Sequence, residues 1–258
     1  NSLAYSSQQK FADENQTLYR LPVAMGEMYA DAVTRNLPPG GIVFADTAEP
    51  ILTSLSGKLF PVLRNYNSKT TILPARGGVV VLTAKPGETL PDAPRFSTMV
   101  EQLEIENGMQ FGIYLYPSGE FTLPPEVKPL DIPTDQGLRL VGYSLLPNKT
   151  GERWTLTTFW RVEVDQAATS RSSFGMYARV VDDSGTTLQS VDGQIIPGFD
   201  WHPGDIQIHT MRIMPPTDAM SLRIGQFDAS NNETMVFHLP DGSQSMFVEL
   251  PLISTEQP

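Results

Sequence analysis

The chain is expected to be α+β overall: a small α/β layer domain over residues 1–117, a proline-rich linker over 118–133, and an antiparallel β-sandwich of about eight strands over 134–258. Three observations predict this. Apolar runs of strand and helix spacing alternate in the first half. Pro117, Pro124, Pro125, Pro129 and Pro133 then break any periodicity. After them come short apolar-alternating runs, each bounded by Gly, Asp, Pro or Asn, with no convincing helical pattern.

In chain order, Leu21, Met25, Met28, Ala32 and Val33 follow helical spacing, and Pro22 fits only a first turn, so a helix is expected from about Leu21. Pro38-Pro39-Gly40-Gly41 stops it, and Ile42 to Ala45 reads as a strand covered on both faces. Asp46 or Thr47 can cap a helix from about Ala48 to Leu55, ending at Gly57. Strands follow near Pro61 to Arg64 and at Gly78 to Thr83. Phe96, Met99, Val100 and Leu103 share one helical face, so a helix is expected there, and Met109 to Tyr116 closes the region as a strand of a largely parallel sheet.

In the second half, Leu138 to Leu146 and Arg153 to Val164 flank the turn formers Pro147 to Glu152 and read as consecutive antiparallel strands. Trp154, Leu156, Thr158, Trp160 and Val162 alternate onto one face. Phe159 breaks the polar side of that alternation, which predicts a cover over the outer face as well. Further strands are expected at Phe174 to Val181, Thr187 to Val191, Ile206 to Met214, Ser221 to Phe227, Met235 to Leu239 and Met246 to Leu252.

Composition narrows the function. A net charge of −11 and a pI near 4.7 argue against a nucleic-acid partner, which needs clustered Lys and Arg. The chain has no cysteine, so disulfides and zinc thiolates are ruled out. No run approaches the roughly 18 apolar residues of a membrane span, and the first residues lack the pattern of a signal peptide, so the chain reads as soluble or as a piece of something longer. The turn Asp46-Thr47-Ala48-Glu49-Pro50 has no glycine and two acids, which suits capping and not phosphate. His202, His209 and His238 are dispersed and no HExxH, GxSxG or Gly-rich phosphate loop occurs, so hydrolase chemistry has no support. Glu101 and Glu104 read as a solvated helix face.

The order Leu140-Val141-Gly142-Tyr143-Ser144, Gly151, then Trp154-Thr155-Leu156-Thr157-Thr158-Phe159-Trp160-Arg161 and Phe174 to Asp182 with Gly185 carries a family likeness. It continues through Asp192-Gly193, Pro197-Gly198, Trp201, Pro203-Gly204 and Ile224-Gly225-Gln226-Phe227-Asp228. This pattern resembles the C-terminal soluble domain of bacterial membrane glycosyltransferases related to the protein mannosyltransferase family. The run Leu37-Pro38-Pro39-Gly40-Gly41-Ile42-Val43-Phe44, with Leu55-Ser56-Gly57-Lys58 beyond it, resembles the segment that follows the last membrane helix there.

The resemblance implies an extracytoplasmic location, tethered by transmembrane helices upstream of this chain, and a parent enzyme that transfers sugar from a lipid-linked donor. The catalytic acid of such enzymes lies in a loop this chain does not contain, so no catalytic residue is carried over and the piece alone is expected to be inactive. Its expected partners are a glycan or protein acceptor and the membrane domain of the same polypeptide. No cofactor and no metal is expected.

For carbohydrate binding, the candidates are Trp201, Asp200, His202 and Asp205, because a sugar's C–H face stacks on an indole while carboxylates bond its hydroxyls. The plainer reading makes Trp201 a plug for the end of the core and Pro203-Gly204 a turn. Asp182, Asp183, Asp192, Asp200 and Asp205 could supply oxygen ligands to calcium, but they match no dense ligand loop and turn chemistry accounts for them. A free carbohydrate-binding module and a purely structural assembly domain are the alternative functions.

Overall fold

The computed structural model describes residues 23–45, 63–65, 70–104, 108–164, 173–193, 196–197, 202–229 and 231–252. Among them, helix α1 (Val23–Asn36) is followed by β1 (Ile42–Ala45), β2 (Leu63–Asn65), β3 (Thr70–Leu73), β4 (Gly78–Ala84), β5 (Thr98–Glu104) and β6 (Gln110–Tyr116). Next come β7 (Lys128–Pro133), β8 (Leu138–Pro147), β9 (Trp154–Val162), β10 (Ser173–Val181), β11 (Thr187–Asp192) and β12 (Ile196–Pro197). The chain ends with β13 (Ile206–Ile213), β14 (Ser221–Asp228), β15 (Glu233–Thr234), β16 (Phe237–His238), β17 (Gln244–Ser245) and β18 (Val248–Pro251). Contacts divide it into two compact units, Asn1–Tyr66 with Gly77–Pro117, and Asn67–Arg76 with Ser118–Pro258.

The structure is mostly β, which overturns the expected α+β class with its α/β layer domain. The first unit is a five-stranded sheet in the order β2-β1-β4-β6-β5. Only β1 pairs in parallel, with β2 and β4, while β4–β6 and β6–β5 are antiparallel. The sheet is therefore mixed, not largely parallel.

The expected helix from Phe96 to Leu103 is instead strand β5. Phe96 stands before it in a turn, at a φ of +66°, and the register shifts between Met99 and Glu101. A bulge adds one residue to a strand and breaks its two-residue period, so the apolar positions fell at intervals that imitate a helix. The helix expected over 48–55 lies outside the described residues.

Ala32 and Val33 of α1 meet Val43, Val79, Val81, Phe111 and Ile113 in one core. The helix stops at Asn36, two residues before Pro38, and Gly41 N–H closes a turn on the Pro38 carbonyl at 2.8 Å. Glu101 is not on a solvated helix: it accepts hydrogen bonds from Asn36 Nδ2 (2.7 Å) and from the Arg35 guanidinium, whose bond holds its carboxyl below the usual range.

Among the described residues, the second unit holds two large antiparallel sheets, β3-β13-β9-β8-β7 and one built on β11-β10-β14-β15 with β12 and β18 beside it, and the small antiparallel pair β16-β17. Leu156, Trp160 and Val162 of the first sheet share a core with Phe174, Met176, Val180 and Ile224 of the second. Of the stretch read as linker, Lys128–Pro133 form an edge strand. The opposite edge is β3, which comes from before β4 in sequence and pairs with Ile206 to His209. In place of one strand from Met235 to Leu239, two-residue strands β15 and β16 occur.

Phe159 is fully buried on the outer face, where its ring stacks on Phe121 at 6.0 Å and 18°. Gly142 sits opposite Phe159 across the ladder, and a side chain there would meet Val127 at 2.7 Å. The 121–127 stretch is thus the cover that the broken alternation predicted.

Candidate binding turn and the polar core face behind it

Of the four sugar-binding candidates, Asp200 and Trp201 lie outside the described residues, while His202 and Asp205 are brought together in one turn. Pro203 fixes one backbone angle of that turn and Gly204 supplies a φ of +92°, a conformation that L side chains rarely adopt. Asp205 N–H donates to the His202 carbonyl at 3.0 Å, closing it. The turn is then tied to β9 by Gly204 N–H to Val162 O (2.8 Å) and Val162 N–H to Asp205 O (2.9 Å).

The Asp205 side chain is buried, at 1% exposure. Its Oδ1 accepts from Ala75 N–H and its Oδ2 from His202 N–H, both at 2.9 Å. Burial raises the carboxyl above the ordinary aspartate value, and the two backbone donors work against that rise. Asp205 is therefore occupied with backbone on both oxygens. It positions the turn, and His202, half-buried, stands beside it.

Sequence reasoning missed Ala75. It acts through its backbone N–H alone, so no side-chain signal could have marked it.

Behind the turn, Gln207, His209, Met211 and Ile213 lie on the core face of β13, opposite Trp160, Thr158, Leu156 and Trp154 of β9. His209 is 2% exposed. Its Nε2 lies 3.4 Å from Gln207 Oε1, while its Nδ1 and Gln207 Nε2 have no hydrogen-bond partner among the described residues. Burial alone drives the imidazole down to about 4, so it is neutral at pH 7. Trp160 Nε1 donates to Thr158 Oγ1 at 2.8 Å, and that hydroxyl donates on to Met176 Sδ of the facing sheet at 3.0 Å.

The other aspartates considered as ligands include clear turn formers. Asp182 Oδ1 accepts from Ser184 N–H (3.0 Å), Ser184 Oγ (2.7 Å) and Thr186 N–H (2.8 Å), so that oxygen is engaged within its own loop. Tyr177 donates its hydroxyl to Met246 O at 2.8 Å.

No family model matches the chain, and no curated protein matches it. Among solved structures, the endonuclease/exonuclease/phosphatase from Beutenbergia cavernae DSM 12333 shares 14% identity at a TM-score of 0.22, over 61% of this chain and 36% of its own. The chain thus spans about a third of that protein's length, and a likeness this low supports no statement about fold or activity.

Proposed function

We propose that the chain is a non-catalytic extracytoplasmic region of a membrane-bound glycosyltransferase that draws on a lipid-linked sugar donor, and that the sequence segment from Asp200 to Asp205, which ends in the His202–Asp205 turn, meets the acceptor glycan. The observation that supports this is the anchoring of the turn by the buried Asp205 carboxylate on Ala75 and His202. The part of the segment from His202 to Asp205 is held before any ligand arrives, so it loses little conformational freedom on binding. Trp201 supplies the stacking surface in this reading and Asp200 the carboxylate for a sugar hydroxyl.

A glycan array probed with the chain and with Trp201→Ala tests the binding. A saturable glycan signal lost in Trp201→Ala, with folding unchanged, supports the proposal; equal signals from the two proteins would refute it. A sugar-transfer assay with a polyprenyl-phosphate donor tests the other half, and turnover by the chain alone would overturn the non-catalytic assignment.

Docking against the membrane domain is a second role, favoured by the opposite end of the same sheet. There Leu146, at the end of β8, and Met214, just past β13, are 48% and 55% exposed. Exposed apolar side chains at strand ends supply surface that a docked partner can cover.

A further inference from the structure

The outer face of the first unit's sheet carries a groove that nothing above uses. On β6, Gln110, Gly112 and Tyr114 alternate onto one face, and Leu82, Gln102 and Met99 stand beside them on β4 and β5. Gly112 is the reason the floor is low. A side chain there would meet the Tyr114 ring at 2.8 Å and Leu90 Cδ1 at 3.1 Å, so the ring folds down over the glycine and the 88–93 segment arches across it. The result is an open groove of about 440 Å³ lined by Glu88, Asp92, Met99, Gln102, Gln110 and Tyr114.

Its hydrogen-bonding groups are arranged in a mixed set. Tyr114 is 1% exposed, yet its hydroxyl bonds to no described residue, and burial with the nearby Asp92 charge raises its pKa, so it stays a donor. Gln102 Nε2 donates to Gln110 Oε1 at 3.3 Å. That bond orients the pair and leaves Gln102 Oε1 as an acceptor and Gln110 Nε2 as a donor. The Asp92 and Glu88 carboxylates add acceptors, no Lys or Arg lines the groove, and Met99 offers an apolar surface at 44% exposure.

Three ligand classes can be compared against this set. An anion would face two carboxylates with no cation to offset them. A cation would suit the carboxylates but would meet the Gln110 amide donor head-on and leave the Tyr114 hydroxyl proton without an acceptor. A hydroxyl both donates and accepts, so a ring of hydroxyls satisfies both kinds of group while its C–H face rests on Met99. We propose that this groove binds a neutral polyhydroxylated ligand, a sugar ring, through Asp92, Gln102, Gln110 and Tyr114. The site belongs to the first unit and does not depend on the Trp201 turn.

The test is a titration of the whole chain with methyl α-glucoside, methyl α-mannoside, methyl β-galactoside and N-acetylglucosamine, with glucuronate and glucosamine as charged controls. The readout is the side-chain amide NMR signals of Gln102 and Gln110. Saturable shifts with at least one neutral sugar are expected, weakened about two- to tenfold in Tyr114→Phe, which removes a single hydroxyl. Trp201→Ala should leave the response intact, so failure of the turn proposal would not affect this one. No saturable shift with any neutral sugar, saturation by glucosamine or glucuronate alone, an undiminished response in Tyr114→Phe, or loss of the response in Trp201→Ala would each overturn it.

Discussion

Asp205 shows how one carboxylate can fix a turn without facing solvent. Asp205→Ala strands the Ala75 and His202 N–H groups in a buried place, at a cost of about 2–3 kcal/mol measured by urea unfolding. Asp205→Asn keeps one acceptor oxygen and should cost less. His209 sets a pH dependence. Its folded-state pKa, about 4, lies below the ordinary 6.5, so only the unfolded chain binds a proton between those values. Its share of stability is intact above about pH 6.5 and is lost progressively as pH falls toward about 4, by an amount on the order of 3 kcal/mol. Urea unfolding at the two ends of that window checks this: the difference should shrink in His209→Leu. Asp205 has the opposite sign, because a raised carboxyl contributes most below its unfolded value and loses that contribution as pH rises through the folded one. His209 was legible in the sequence only as part of the strand from Ile206 to Met214. Its pairing with Gln207 and the anchoring of Asp205 by Ala75 were not, since the latter joins residues 130 apart through a main-chain donor.

Single elements were legible where one face alternates and illegible where a bulge or an aromatic on glycine intervenes. The alternation in β9 located Trp160 and Val162 in the core, and the misplaced Phe159 marked a second buried face. In β5 the same two-residue logic failed because the Met99–Glu101 irregularity shifted the period. The β10–β14 pair depends on glycines whose role the apolar alternation does not reveal: Tyr177 lies over Gly225 and Phe227 over Gly175. A Cβ at residue 225 would stand 2.3 Å from the Tyr177 ring and its hydroxyl, so Gly225→Ala must displace the ring and break its bond to Met246. The expected loss is about 2 kcal/mol in thermal or urea unfolding. The double variant Tyr177→Ala with Gly225→Ala should cost less than the sum of the two single changes, because the clash is counted once.

At the scale of the molecule, the sequence placed most strands but misjudged the class, since parallel and antiparallel neighbours share the same apolar runs and only long-range pairing tells them apart. It also gave no hint that β3 joins the sheet of the second unit, because four residues, Thr70 to Leu73, carry too little pattern to name a partner. A fragment starting at residue 118 would keep the two-sheet core but lack that edge strand, leaving one edge of β13 bare from Ile206 to His209 while its other edge stays paired with β9. Such a fragment should melt below the whole chain and self-associate through the bare edge, as size-exclusion chromatography would show. Adding a peptide of residues 67–76 should restore part of the melting temperature.

That borrowed edge also bears on how the polypeptide is made. Thr70–Leu73 leaves the ribosome well over a hundred residues ahead of its mate, and the N–H of Ala75 waits as long for its carboxylate. During that interval the segment has no sheet to join, and closing so long a loop is slow. Nascent chains stalled between residues 120 and 200 should therefore be the most susceptible to proteases and the most engaged by chaperones, a vulnerability that ends only once β13 has been synthesised.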